Sequence, residues 1–208
     1  MGLGNRGQEK TRGKVTRKAK KVMLLSLEGK NKTEKNYFSK FKDNKKFAIN
    51  FSNGNYTDPV NMALALIKDS QYETLDFKHG DKAYCIFDTD VDPLKQLEIE
   101  KAISICLSRD AEVILSNPCF EIWFLCHFTD STKYYSTNDE LLKVLKRNIP
   151  EYDKNLDIFD KIKNNTNMAI TNSKKLETHH LNLGKKPRDM DCNPSTEVYK
   201  IIEILNIN

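Results

Sequence analysis

Ala83–Phe87 (AYCIF) runs directly into Asp88-Thr89-Asp90-Val91-Asp92-Pro93 (DTDVDP), and the reading of this stretch decides the fold class. Five consecutive apolar residues closed by acidic ones describe a strand buried on both faces. Asp92 before Pro93 is an N-cap followed by a proline at the first helical position, and Leu94, Leu97, Ala102, Ile105 and Cys106 give the following helix an apolar face. Strand, acidic loop and amphipathic helix together form one half of a βαβ unit.

The same grammar extends to both sides. Val22–Leu27 (VMLLSL) ends at Glu28-Gly29, where the glycine lets the backbone turn tightly, and Tyr37, Phe38 and Phe41 predict a helix from about Thr33 to Lys42. Phe47–Phe51 alternates as a strand does, and Asp58-Pro59 opens a helix carrying Met62, Leu64, Ala65 and Leu66. Glu112–Leu115 reads as a further buried strand, Ser116-Asn117-Pro118 as a turn, and Phe120–Phe128 (FEIWFLCHF) as a deeply buried helix. These alternations predict an α/β domain with a mainly parallel sheet over residues 21–128. Residues 129–208 read as a helical appendage packed on it, with helices at Asn138–Arg147, Asp160–Thr178 and Ser195–Asn206 and no strand.

The 208 residues carry a net charge of +5, unevenly spread. Residues 1–21 hold eight basic side chains (Arg6, Lys10, Arg12, Lys14, Arg17, Lys18, Lys20 and Lys21) against Glu9 alone, a net of +7. The remaining 187 residues hold 26 basic and 28 acidic groups, a net of −2. A flexible, glycine-rich basic arm over residues 1–20 thus precedes a nearly neutral body. No apolar run approaches the roughly 20 residues of a membrane helix and no secretory signal is visible, so a cytoplasmic protein without membrane contact is expected. Cys85, Cys106, Cys119, Cys126 and Cys192 form no CxxC pair and read as reduced packing residues.

Two strands end in carboxylates, Glu28 on one and Asp88 and Asp90 on the other. In a parallel sheet both ends share an edge, where ligands of such folds gather. Crowded carboxylates call for a cation, and an all-oxygen donor set without His or Cys selects Mg²⁺ or Mn²⁺ over zinc. The chemistry such a centre serves is metal-assisted phosphoryl transfer or phosphodiester cleavage. Asp92 reads as a helix cap, His127 as a core histidine and Trp123 as core. Glu121, among Phe120, Ile122, Trp123 and Phe124, requires a partner if buried.

Strand-Glu-Gly followed by strand-Asp-x-Asp resembles the Toprim domain of primases, topoisomerases and overcoming-lysogenization-defect nucleases. Leu24–Phe38 (LLSLEGKNKTEKNYF), Cys85–Asp90 (CIFDTD), Ser116–Phe128 (SNPCFEIWFLCHF), Tyr152-Asp153-Lys154 and Asn193–Thr196 (NPST) resemble, in that order, RloB-like proteins, which include the second component of the lactococcal AbiL abortive-infection system. The resemblance implies a Mg²⁺-dependent Toprim-type nuclease acting on RNA, such as tRNA, or on DNA in antiphage defence, with an AAA or SMC-like ATPase partner. It assigns Glu28, Asp88, Asp90 and Glu34 to the metal, and makes Glu121 a further ligand or a base.

Lys14, Arg17, Lys18, Lys20 and Lys21 of the arm, with Lys32 and Lys154, are the expected nucleic-acid contacts, and a homo-oligomer is compatible with the pattern. Lys30, Lys35, Lys174, Lys175, Lys185, Lys186 and Arg188 offer a basic rim. Asn117 offers a phosphate contact. Two other readings compete. Asp88-Thr89-Asp90-Val91 resembles the haloacid-dehalogenase nucleophile loop, with Asp88 as nucleophile and Asp90 as general acid. A non-catalytic toxin or sensor subunit of an ATPase complex is the other.

Overall fold

The computed structural model describes residues 20–28, 32–54 and 56–206. Its elements follow in order as β1 (Lys21–Leu27), α1 (Thr33–Ser39), β2 (Phe47–Phe51), α2 (Pro59–Tyr72), β3 (Lys82–Asp88), α3 (Pro93–Leu107), β4 (Glu112–Asn117), α4 (Glu121–Leu125), α5 (Asn138–Asn148), α6 (Phe159–Ile162), α7 (Thr166–Asn182), β5 (Ser195–Thr196) and α8 (Val198–Asn206). The sheet order is β2-β1-β3-β4-β5, parallel except for the antiparallel β5. This is the expected α/β fold with a mainly parallel sheet and flanking helices.

Side-chain alternation along the strands builds two cores. Leu24, Cys85, Phe87 and Val113 face α2 and α3, where Met62, Leu66, Ile99, Ala102 and Cys106 cover them. Met23, Leu25, Ile86 and Ile114 face the other way, onto Phe38, Trp123, Leu176, Ile201 and Ile202 from α1, α4, α7 and α8. Strands buried on both faces need near-continuous apolar sequence, which is what AYCIF and VMLLSL supply. The five cysteines are unpaired and buried, in keeping with packing roles. Asp58 and Asp92 cap α2 and α3 through Asn61 and Leu94 N–H groups, at 2.7 and 2.9 Å.

The sequence-based expectations differ from the structure at several places. β4 continues through Ser116 and Asn117, expected as a turn, because these residues pair with Thr196 and Ser195. That pairing makes Ser195–Thr196 a strand in the region expected to have none, and delays α8 to Val198. The expected helix over Asp160–Thr178 is split by a 3-10 turn at Lys163–Asn165, where consecutive asparagines are weak helix formers. Phe120–Phe128 is buried as expected, apart from half-buried Phe128, but only Glu121–Leu125 is α-helical. Tight turns then follow, with the N–H of Phe128 donating to the Leu125 carbonyl at 2.9 Å.

Candidate metal centre

The strand order reverses at β1 and β3. β1 leads by way of α1 to β2 on one side, while β3 lies on the other. Crevices in open α/β sheets form at such switch points, beyond the carboxyl ends of the strands. The register pairs Leu27 with Ile86, so Glu28 and Asp88 leave the sheet side by side at that crevice.

The acidic loop after β3 is held by the end of β4. The N–H groups of Thr89 and Asp90 donate to the carbonyls of Ser116 and Pro118, both at 3.0 Å. Asp90 and Val91 adopt left-handed φ values of 51° and 54°, a conformation rare for a β-branched residue and costing on the order of 1–3 kcal/mol. This geometry turns Asp90 back over the strand ends.

There it meets Lys95, which the sequence reading did not single out. The Lys95 Nζ donates to Glu28 Oε1 and to Asp90 Oδ2, both at 2.6 Å, with only 11% of its side chain exposed. Helical side chains lean toward the helix N-terminus, so a lysine in the first turn of α3 reaches across the loop that Asp92 caps. The other carboxylate oxygens are also engaged: Glu28 Oε2 accepts the N–H of Asp88 at 3.0 Å, and Asp90 Oδ1 accepts from Asn138 Nδ2 at 2.7 Å. Burial raises the Glu28 carboxyl above its ordinary range, against the pull of Lys95. Burial also pushes Asp90 upward, but Lys95 and Asn138 outweigh it and hold Asp90 below its usual range.

A second group of carboxylates lies beside this pair. Asp88 is raised well above the ordinary carboxylate range by burial and then by the charges of Glu34, Glu28, Glu121 and Asp90. Glu34, in the first turn of α1 and 4% exposed, is pushed up to about 7 by burial, with Glu121 and Glu28 adding to the rise. Its Oε2 is buried with no hydrogen-bond partner. Glu121, 2% exposed, has the partners its burial requires: the Tyr152 hydroxyl donates to its Oε1 at 2.9 Å, and Lys154 Nζ lies 3.8 Å away. Lys154 is itself anchored, its carbonyl accepting from Thr33 Oγ1 at 2.7 Å.

Glu28, Glu34, Asp88, Asp90 and Glu121 thus meet at one edge, with Lys95 and Lys154 between them. Among the described residues no three His, Cys, Asp or Glu side chains are gathered tightly enough to hold a metal ion directly. The donor set nonetheless suits a hard cation: it is entirely carboxylate, its charges repel one another, and one buried oxygen of Glu34 has no partner.

The remaining predicted residues divide. Lys154 stands in the site, and exposed Lys32 precedes α1 beside Glu34. Lys20 and Lys21 sit at the opposite end of β1, about 23–26 Å from Glu28 by strand rise, so the structure does not bring them to the carboxylates. Lys14, Arg17, Lys18, Gly29 and Lys30 lie outside the described residues.

Of the expected basic rim, Lys174 pairs with Glu203 and Lys175 with Asp130, while Lys185 contacts Asp191. Arg188 clamps Glu197 and the Val113 carbonyl. Asn117, read as a phosphate contact, instead donates to the Met190 carbonyl at 2.8 Å and tethers the C-terminal region. The NPST segment is likewise structural, since the Asn193 side chain exchanges two hydrogen bonds with the backbone of Tyr135 and Thr196 bonds Ser116. Trp123 and His127 are core residues, and the His127 Nδ1 bonds the Trp123 carbonyl at 2.9 Å.

Asn138, Lys95 and Tyr152 are the site residues that sequence reasoning left without a role. Comparison with curated proteins and with solved structures yields no match. A family model described as RloB-like protein matches residues 23–205, a span that contains every described carboxylate of the centre, and the chain belongs to the RloB-like protein family.

Proposed function

We propose that this protein is a Mg²⁺- or Mn²⁺-dependent nuclease of the Toprim type, hydrolysing phosphodiester bonds of RNA or DNA. We further propose that it serves in the cytoplasm as the effector of an antiphage system with an ATPase partner. The observation that carries the enzymatic reading is the convergence of five carboxylates at the β1/β3 switch point, with Asp88 forced far above its ordinary range by burial and by its neighbours. Such crowding is costly without a cation. The defence role and the ATPase rest on family resemblance.

In this reading Glu28, Asp88, Asp90 and Glu34 would hold the cation, which would supply charge stabilisation and an activated water. The chain's own residues do the rest. Burial works against the Lys154 ammonium, but the neighbouring charges, Glu121 foremost, outweigh it, and Lys154 presents positive charge to a phosphate entering the crevice. Tyr152 fixes Glu121 in place, where its carboxylate serves as a further ligand or as the base that orients water. Exposed Lys32 lies where a polyanion approaches. The phosphatase alternative needs Asp90 to donate a proton. Asp90 is instead held ionised by Lys95 and Asn138 in spite of its burial, which disfavours it.

The test is cleavage of a mixed pool of RNA and DNA by purified protein, alone and with an ATPase encoded nearby. Glu28→Gln and Asp88→Asn should each lower the rate by at least about 10³-fold, the size expected when the ion's chemistry is lost. Full cleavage by both folded variants would refute the reading.

A further inference from the structure

Lys95 sits where the metal reading places a cation. Its ammonium bridges one oxygen of Glu28 and one of Asp90 at 2.6 Å each, nearly shut off from solvent, while the opposite oxygens are occupied by the Asp88 N–H and by Asn138. Every oxygen of the two carboxylates therefore has a donor. Mg²⁺ bonds oxygen at 2.0–2.1 Å. A divalent ion bound to the same two oxygens would lie no more than about 4 Å from Nζ, a strongly repulsive distance for two cations in a partly buried site. One side chain and one metal ion cannot both hold this position.

We propose that Lys95 is a built-in counterion that closes the Glu28–Asp90 pair in the metal-free protein and must swing out when a divalent cation enters. The centre is then self-neutralised when empty and loads only when the cation outcompetes its own lysine, which sets the divalent concentration at which the protein becomes competent. The position of Lys95 suits such a switch. It lies in the first turn of α3, beside the strained Asp90-Val91 backbone, and its long flexible stem can leave without disturbing Ile99, Ala102 or Cys106, which anchor the helix to the core.

This inference rests on the metal reading above, and one experiment separates the two. Mn²⁺ binding to the full-length protein is measured by calorimetry and by electron paramagnetic resonance for the wild type, Lys95→Met and Lys95→Gln, with thermal melts in chelator and in Mn²⁺. Removing the internal competitor should lower the Kd for Mn²⁺ by at least about tenfold. It should also reverse the order of melting temperatures, the variants melting below the wild type in chelator and gaining more from Mn²⁺. Gln can still hydrogen-bond the carboxylates without charge, so it guards against a Met variant that folds poorly. Mn²⁺ affinity that is unchanged or weaker in a folded variant, with the wild type binding normally, overturns the role of Lys95 alone. No binding by any of the three overturns the role of Lys95 and the metal reading together.

Discussion

Glu121 and His127 are both buried ionisable groups in one apolar segment, and they meet that burial differently. Glu121 is paired by Tyr152 and Lys154, whereas the His127 Nε2 has no partner. Burial therefore drives His127 down to about 4, against the carbonyl bonds that favour its charged form. The unfolded chain takes up a proton below about pH 6.5 that the folded chain refuses until about pH 4. Its stability contribution is intact above pH 6.5 and is lost as pH falls toward 4, by about 3 kcal/mol. His127→Phe puts a somewhat larger ring in the same place, one that cannot titrate. Melting curves between pH 7 and 4 should show the wild type losing ground to this variant on acidification.

At this scale the sequence was legible where chemistry is declared by position. Glu28, Asp88 and Asp90 stand directly after apolar strands, and a parallel sheet sends such ends to one edge. Lys95 was not legible, because one lysine in a helical first turn looks like any solvated residue and only the lean of its side chain over the loop reveals its partners.

Among the elements, the smallest strand ties the C-terminal region directly into the sheet. β5 contributes two residues to the sheet, yet Ser195 and Thr196 extend β4, Glu197 Oε2 accepts the N–H of Leu115 at 3.1 Å, and Asn193 pairs with the Tyr135 backbone. Two-residue pairing has no hydrophobic period to announce it, which is why the segment read as the start of a helix. Asn193→Ala would leave a buried N–H and a buried carbonyl of Tyr135 without partners, at a cost of about 2–4 kcal/mol. Denaturant melts should show that loss, and hydrogen exchange should speed up at residues 133–136 and 190–197. Mn²⁺ affinity should be unaffected, since no carboxylate of the centre bonds to this clasp.

For the molecule as a whole, charge is unevenly divided along the chain. The net +7 of residues 1–21 precedes a body of −2 whose concentrated charges are the five carboxylates. Lys20 and Lys21 enter the sheet at the edge opposite those carboxylates, so the proposed contact of these two lysines with a polyanion would lie away from the centre. Deleting residues 1–20 should weaken nucleic-acid binding and flatten its dependence on salt, by about 0.7–0.9 in log–log slope for each phosphate that the arm no longer neutralises. Metal affinity should stay the same.

That the carboxylate cluster is a divalent-metal centre is tested most directly by an anomalous difference map from crystals soaked in Mn²⁺. A peak about 2.1 Å from oxygens of Glu28, Asp88 and Asp90, with Lys95 withdrawn from Glu28 and Asp90, is the predicted result. Full Mn²⁺ exposure with no peak at these carboxylates, and Lys95 still bridging Glu28 and Asp90, would contradict it.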